Sequence, residues 1–80
     1  MTKIVAALDV HKRVLMVVVF GNGEVTARKR FMTGTWERRN LVDWLKKLNV
    51  EEVVMESTAQ YWKPIWLDLE AQFEGDKLHL

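Results

Sequence analysis

The run Val14-Leu15-Met16-Val17-Val18-Val19-Phe20 is the feature that most narrows what this chain can fold into. It is rich in β-branched residues and apolar on both faces, the signature of a strand buried from two sides. Gly21-Asn22-Gly23 follows, and Gly and Asn tolerate the positive φ angles of a tight reversal, so the next segment must fold back as a hairpin partner. Glu24 to Met32 alternates as that partner. Ile4 to Val10 forms an earlier strand joined through the turn His11-Lys12-Arg13, and the three make a meander.

Helical spacing begins after the meander. Thr35 is placed to cap a helix, Glu37 falls in its first turn, and Leu41, Trp44, Leu45 and Leu48 recur at i, i+3, i+4 and i+7 before Asn49. Residues 50 to 56 read as a fourth strand. A second helix is expected with Ser57 or Thr58 as cap, Pro64 in its first turn and an apolar stripe of Trp62, Ile65, Trp66, Leu69 and Phe73 before Gly75. Lys77 to Leu80 reads as a fifth strand. With no repeat or linker, the 80 residues make one α/β unit of order β-β-β-α-β-α-β.

A right-handed crossover from strand three through the first helix lays strand four beside strand one, giving a mixed sheet of order 3-2-1-4-5. Both crossovers share one hand and direction, so both helices cover the same face. The other face of Val14 to Phe20 then needs a cover from outside the 80 residues, either a missing carboxyl-terminal half or a second copy. A homo-oligomer is the expectation.

This topology sets Asp9 and Glu56 at the ends of neighbouring parallel strands, ~4.8 Å apart between backbones. A carboxylate ending a buried strand is costly unless paired, protonated or bound to a cation, and two such groups side by side suit a divalent metal. Carboxyl ends of strands are also where ligands bind in open α/β sheets. A strand-terminal acid can alternatively just cap a turn.

Charge is uneven. Residues 1 to 32 carry a net +4, residues 33 to 48 a net +2 and residues 49 to 80 a net −5, which together give +1. Lys12, Arg13, Arg28, Lys29 and Arg30 could meet phosphates or simply solvate a hairpin. There is no cysteine, no signal-peptide design and no apolar run near the ~20 residues that span a bilayer, so a cytoplasmic protein without membrane contact is expected. Zinc spacing, a Walker loop and a serine-histidine-acid arrangement are not found in the sequence.

Set side by side, Leu8-Asp9-Val10-His11-Lys12, Met55-Glu56-Ser57-Thr58 and Tyr61-Trp62-Lys63-Pro64 closely resemble the amino-terminal domain of the DEDD transposases. These insertion-sequence recombinases have a RuvC-like, ribonuclease-H-like domain, are related to the Piv invertases and include the bridge-RNA-guided enzymes. The resemblance covers residues 4 to 80 and implies a ribonuclease-H-like domain cut before its last helices. It implies that Asp9 and Glu56 are the first two acids of a tetrad that binds catalytic Mg²⁺ or Mn²⁺ for DNA strand cleavage and transfer. The remaining two acids, and a domain supplying a serine nucleophile, would lie beyond residue 80.

On this reading the isolated chain is inactive and holds metal weakly or not at all. DNA is the expected partner, with guide RNA as a further candidate. His11, Lys12, Arg13, Tyr61 and Lys63 are the candidate nucleic-acid contacts, with a solvated turn as the plain alternative for His11 and Lys12. Trp36, Trp44, Trp62 and Trp66 read as core or interface. A non-catalytic oligomerisation or nucleic-acid-binding module is the alternative function. The first subdomain of an actin-like ATPase is disfavoured, because Val10, His11 and Lys12 stand where that family needs glycine to admit phosphate.

Overall fold

The computed structural model of the chain describes residues 3–80. Strands β1 (Ile4–Val10), β2 (Val14–Gly21) and β3 (Glu24–Met32) form the meander, and α1 (Thr35–Lys47), β4 (Glu52–Ser57), α2 (Lys63–Glu70) and β5 (Leu78–His79) complete it. The sheet order is β3-β2-β1-β4-β5, with β1 and β4 parallel, as the crossover rule requires. The fold is ribonuclease-H-like.

Asn22 and Gly23 both adopt positive φ, 57° and 76°, which matches the twist of the flanking strands. A bulge then interrupts the hairpin, because Val19 pairs with Ala27 while Phe20 pairs with Val25. Thr26 is the extra residue, and its hydroxyl donates to the Val19 carbonyl at 3.2 Å. The slip brings Phe31 opposite Leu15 and Arg30 opposite Met16.

Alternation along the strands divides the sheet into two faces. Ala6, Leu8, Val10, Leu15, Val17, Val19, Val53 and Met55 are all at most 2% exposed and meet Leu41, Leu45, Ile65 and Leu69 of the helices. Both helices therefore cover one face. On the other, Met16 is 43% and Val54 40% exposed, and Val14, Val18 and Phe20 are half-buried. The both-faced apolar character of β2 is satisfied on one side alone.

Several local expectations change. The residue before α1 is Gly34, not Thr35, and no side chain caps it; Thr35 is already helical, while the Thr33 hydroxyl donates to the Lys12 carbonyl at 3.0 Å. At the other end Asn49 (φ 58°) donates to Lys46 and Val50 to Leu45, closing the last turn through a left-handed residue. Helix α2 starts at Lys63, with Pro64 in its first turn, so neither Ser57 nor Thr58 caps it. Ala59 at φ 49° turns the chain between them. Trp36 is 75% exposed rather than core, because it lies on the solvent side of α1 with Arg39 near its ring. The fifth strand shrinks to two residues, preceded by a 3-10 turn at Gly75–Lys77.

Arg38 ties the helical layer together. Its guanidinium donates to the Asp68 carboxylate at 2.7 Å and to the Thr33 carbonyl at 2.9 Å, linking α1 to α2 and to the end of β3. Among the described residues, no helix is long and apolar enough to cross a membrane.

Candidate functional site

Asp9 and Glu56 are direct partners in the parallel register of β1 and β4. Each is the penultimate residue of its strand, and alternation points both side chains to the open face, away from the helices. Together with Ala7, Met16, Val18 and Val54 they line a shallow depression of about 420 Å³. The sequence places the pair correctly but misjudges its environment: the Asp9 side chain is 59% exposed and no charged residue is buried in the described chain. Solvation, not a buried counter-charge, is what lets two acids stand side by side here.

His11 is the link the sequence does not reveal. Its Nε2 lies 3.2 Å from Asp9 Oδ1, and its Nδ1 lies 3.0 Å from the Thr58 hydroxyl. Neutral imidazole satisfies both contacts with its proton on Nε2, donating to Asp9 while accepting from Thr58. A hydroxyl-imidazole-carboxylate chain thus exists, although no serine-histidine-acid order is visible in the sequence. The backbone fixes it: the Thr58 amide donates to the Val10 carbonyl at 3.0 Å and the His11 amide to the Val14 carbonyl at 2.9 Å. The sequence offers Ser57 or Thr58 as a helix cap, and only the crossover register signals the approach of Thr58 to His11.

The other candidate contacts divide. Lys12 and Arg13 are exposed in the same β1–β2 turn as His11. Tyr61 is 37% exposed in the turns before α2, and Lys63 is exposed at its first residue. Trp62, expected in the core, is half-buried and lines a second depression of about 430 Å³ with Glu56, Ser57 and Ala59. The aromatic that shares a depression with Glu56 is therefore Trp62.

At the far end of β4, Glu52 gathers three basic groups on the open face: Lys3 Nζ at 2.6 Å, His79 Nε2 at 3.5 Å and Lys77 Nζ at 3.9 Å. Its hydrogen bond from Lys3 holds the Glu52 carboxyl below the usual range, against desolvation, and raises Lys3 in turn. His79, for which the sequence offers no partner, has one here.

Two carboxylates in register suit a hard divalent cation, with water or phosphate oxygens completing its shell. Among the described residues no group of three His, Cys, Asp or Glu side chains forms a metal cluster. The pair brings two carboxylates together, short of such a cluster.

Neither a protein-family model nor a curated protein matches the sequence. Among solved structures, the crystal structure of the Aquifex aeolicus member of the Ppx/GppA family superposes with TM-score 0.54 at 10% identity, over 99% of this chain and 35% of that one. A structure of the Aquifex aeolicus PPX-GPPA enzyme gives TM-score 0.51 at 13% identity, over 88% of this chain and 32% of that one. The chain spans about a third of the length of each. Likeness at this identity establishes the fold, and the transposase resemblance is not part of what it establishes.

Proposed function

We propose that the chain is the amino-terminal part of a metal-dependent phosphoryl-transfer enzyme acting on DNA, a DEDD-type transposase, in which Asp9 and Glu56 supply half of the metal ligands. The observation that carries this reading is the Asp9–Glu56 pairing on the open face at the carboxyl ends of β1 and β4. A divalent ion held there would polarise a phosphoryl oxygen and lower the barrier to attack on phosphorus. His11 orients the Asp9 carboxylate, and the exposed Lys12 and Arg13 stand at the same end of the sheet to meet neighbouring phosphates.

The solved neighbours favour a second reading, a phosphate-handling domain of the actin-like branch, with which the Ppx/GppA fold is allied. The turn after β1 argues against it. A phosphate cradle needs free amides and room beside them, whereas the His11 amide is already bonded to Val14 and side chains occupy every position of the turn.

Titration with Mn²⁺ followed by amide NMR tests the assignment. Broadening centred on residues 9–11 and 56–58 and falling off with distance from them, abolished by Asp9→Asn, is the expected result. Broadening that is absent, or unchanged in Asp9→Asn, overturns the reading. With only half the ligands, the chain alone is expected to leave duplex and branched DNA intact in Mg²⁺ or Mn²⁺, and cleavage that survives Asp9→Asn would also overturn it.

A further inference from the structure

The open face carries its charges in a definite order. Pairing of Arg30 with Met16, Met16 with Asp9, and Asp9 with Glu56 places these four residues on one rung across β3, β2, β1 and β4. The next rung runs Arg28, Val18, Ala7, Val54, and the one beyond it Val25, Phe20, Val5, Glu52. The β3 edge is basic, the two middle strands are mainly apolar, and β4 presents Glu56, its Glu52 being already paired with Lys3. Neither Arg28 nor Arg30 forms an ion pair among the described residues, and Val25, Met16 and Val54 are each at least 40% exposed.

We propose that two copies of the chain stack open face to open face about a two-fold axis parallel to the strands and midway between β1 and β2. That operation lays β3 of each copy over β4 of the other and β2 over β1, while leaving every rung at its own level. Arg30 then meets Glu56 of the second copy, twice by symmetry, Met16 covers Asp9, Val18 covers Ala7, and Phe20 covers Val5. Arg28 lands over Val54, one rung from Glu56. Stacked sheets lie ~10 Å apart, a gap an arginine and a glutamate span together.

Charge selects this axis. The other in-plane two-fold, perpendicular to the strands, superposes β3 on β3 and β4 on β4, setting arginines against arginines and acids against acids. A second copy is thus complementary in sign, and the same patch serves both partners. The stacked dimer covers the carboxylate rung. That this rung is a metal site rests on the function proposed above; the stacking does not, and it makes metal binding and self-association mutually exclusive.

Sedimentation of the chain, of 9.4 kDa, is expected to give a dimer. Arg30→Glu alone and Glu56→Arg alone each create two like-charge contacts and weaken association by about tenfold or more. An equimolar mixture of the two variants restores both pairs, and the dimer returns. Both positions are exposed, so circular dichroism should show each variant folded. A monomeric parent chain, a dimer indifferent to either reversal, or failure of the mixture to associate overturns the stacking. Mn²⁺ should shift the parent chain toward monomer; a dimer that passes the mixing test but ignores Mn²⁺ retains the stacking and counts against the metal site.

Discussion

Glu56 stands directly beside Asp9 across the parallel boundary of β1 and β4, so one rung of the sheet holds two like charges. Such neighbours destabilise a sheet by a few tenths of a kcal/mol, reduced here by exposure to water. Either Asp9→Asn or Glu56→Gln should therefore raise the urea midpoint of the monomeric chain slightly, with an unchanged denaturant slope. A loss of stability in both variants would mean that the pair is structural.

Val54 and Met55 are sequence neighbours on opposite faces, 40% and 1% exposed. Met55→Ala leaves a void in the core and should cost about 2–5 kcal/mol, enough to unfold much of a domain this small. Val54→Thr keeps the branched β-carbon on the open face and should stay within about 0.5 kcal/mol when measured under monomeric conditions. Equal effects in chemical denaturation would contradict the one-sided core.

Ala59 occupies the left-handed region at φ 49°, where a β-carbon is strained by roughly 1 kcal/mol. Ala59→Gly relieves that strain but frees the unfolded chain, so a net gain of a few tenths of a kcal/mol is expected. The same change at Ala6, buried in β1, should be clearly destabilising, and thermal melts of the two variants distinguish the cases.

The Glu52 cluster gives stability a pH dependence at both extremes. The Glu52 carboxyl is held below its ordinary 4.5 mainly by the Lys3 hydrogen bond, so its contribution is complete above that value and lost as pH falls below it. Lys3 is raised above 10.5 by the same bond; its contribution is complete below that value and lost as pH climbs beyond. Glu52→Gln should flatten both limbs of a stability profile, and a profile identical to the parent's would exclude the coupling.

Element order and the Asp9–Glu56 pairing were legible because strand spacing, the Gly21-Asn22-Gly23 reversal and crossover handedness act on long patterns. The bulge was not. Had the register set by Gly21 and Glu24 continued, Leu15 would face Arg30; one extra residue, Thr26, instead seats Phe31 in the core and turns Arg28 and Arg30 to the open face. Phe31 was the available signal, since its ring needs burial that only a slipped register provides. The caps failed for a different reason. Thr35 already lies inside α1, and Thr58 directs its hydroxyl to His11, distant in sequence, which no local spacing announces.

The brevity of β5 has a consequence of its own. Its two residues pair with Val53 and Val54, so among the described residues no strand lies beside the outer flank of β4 from Met55 to Ser57. In deuterated water, outward amides of that segment should exchange sooner than those of β1, which is paired on both sides. Within the described residues Glu56 is therefore held through β1 alone, whereas Asp9 is paired on both sides.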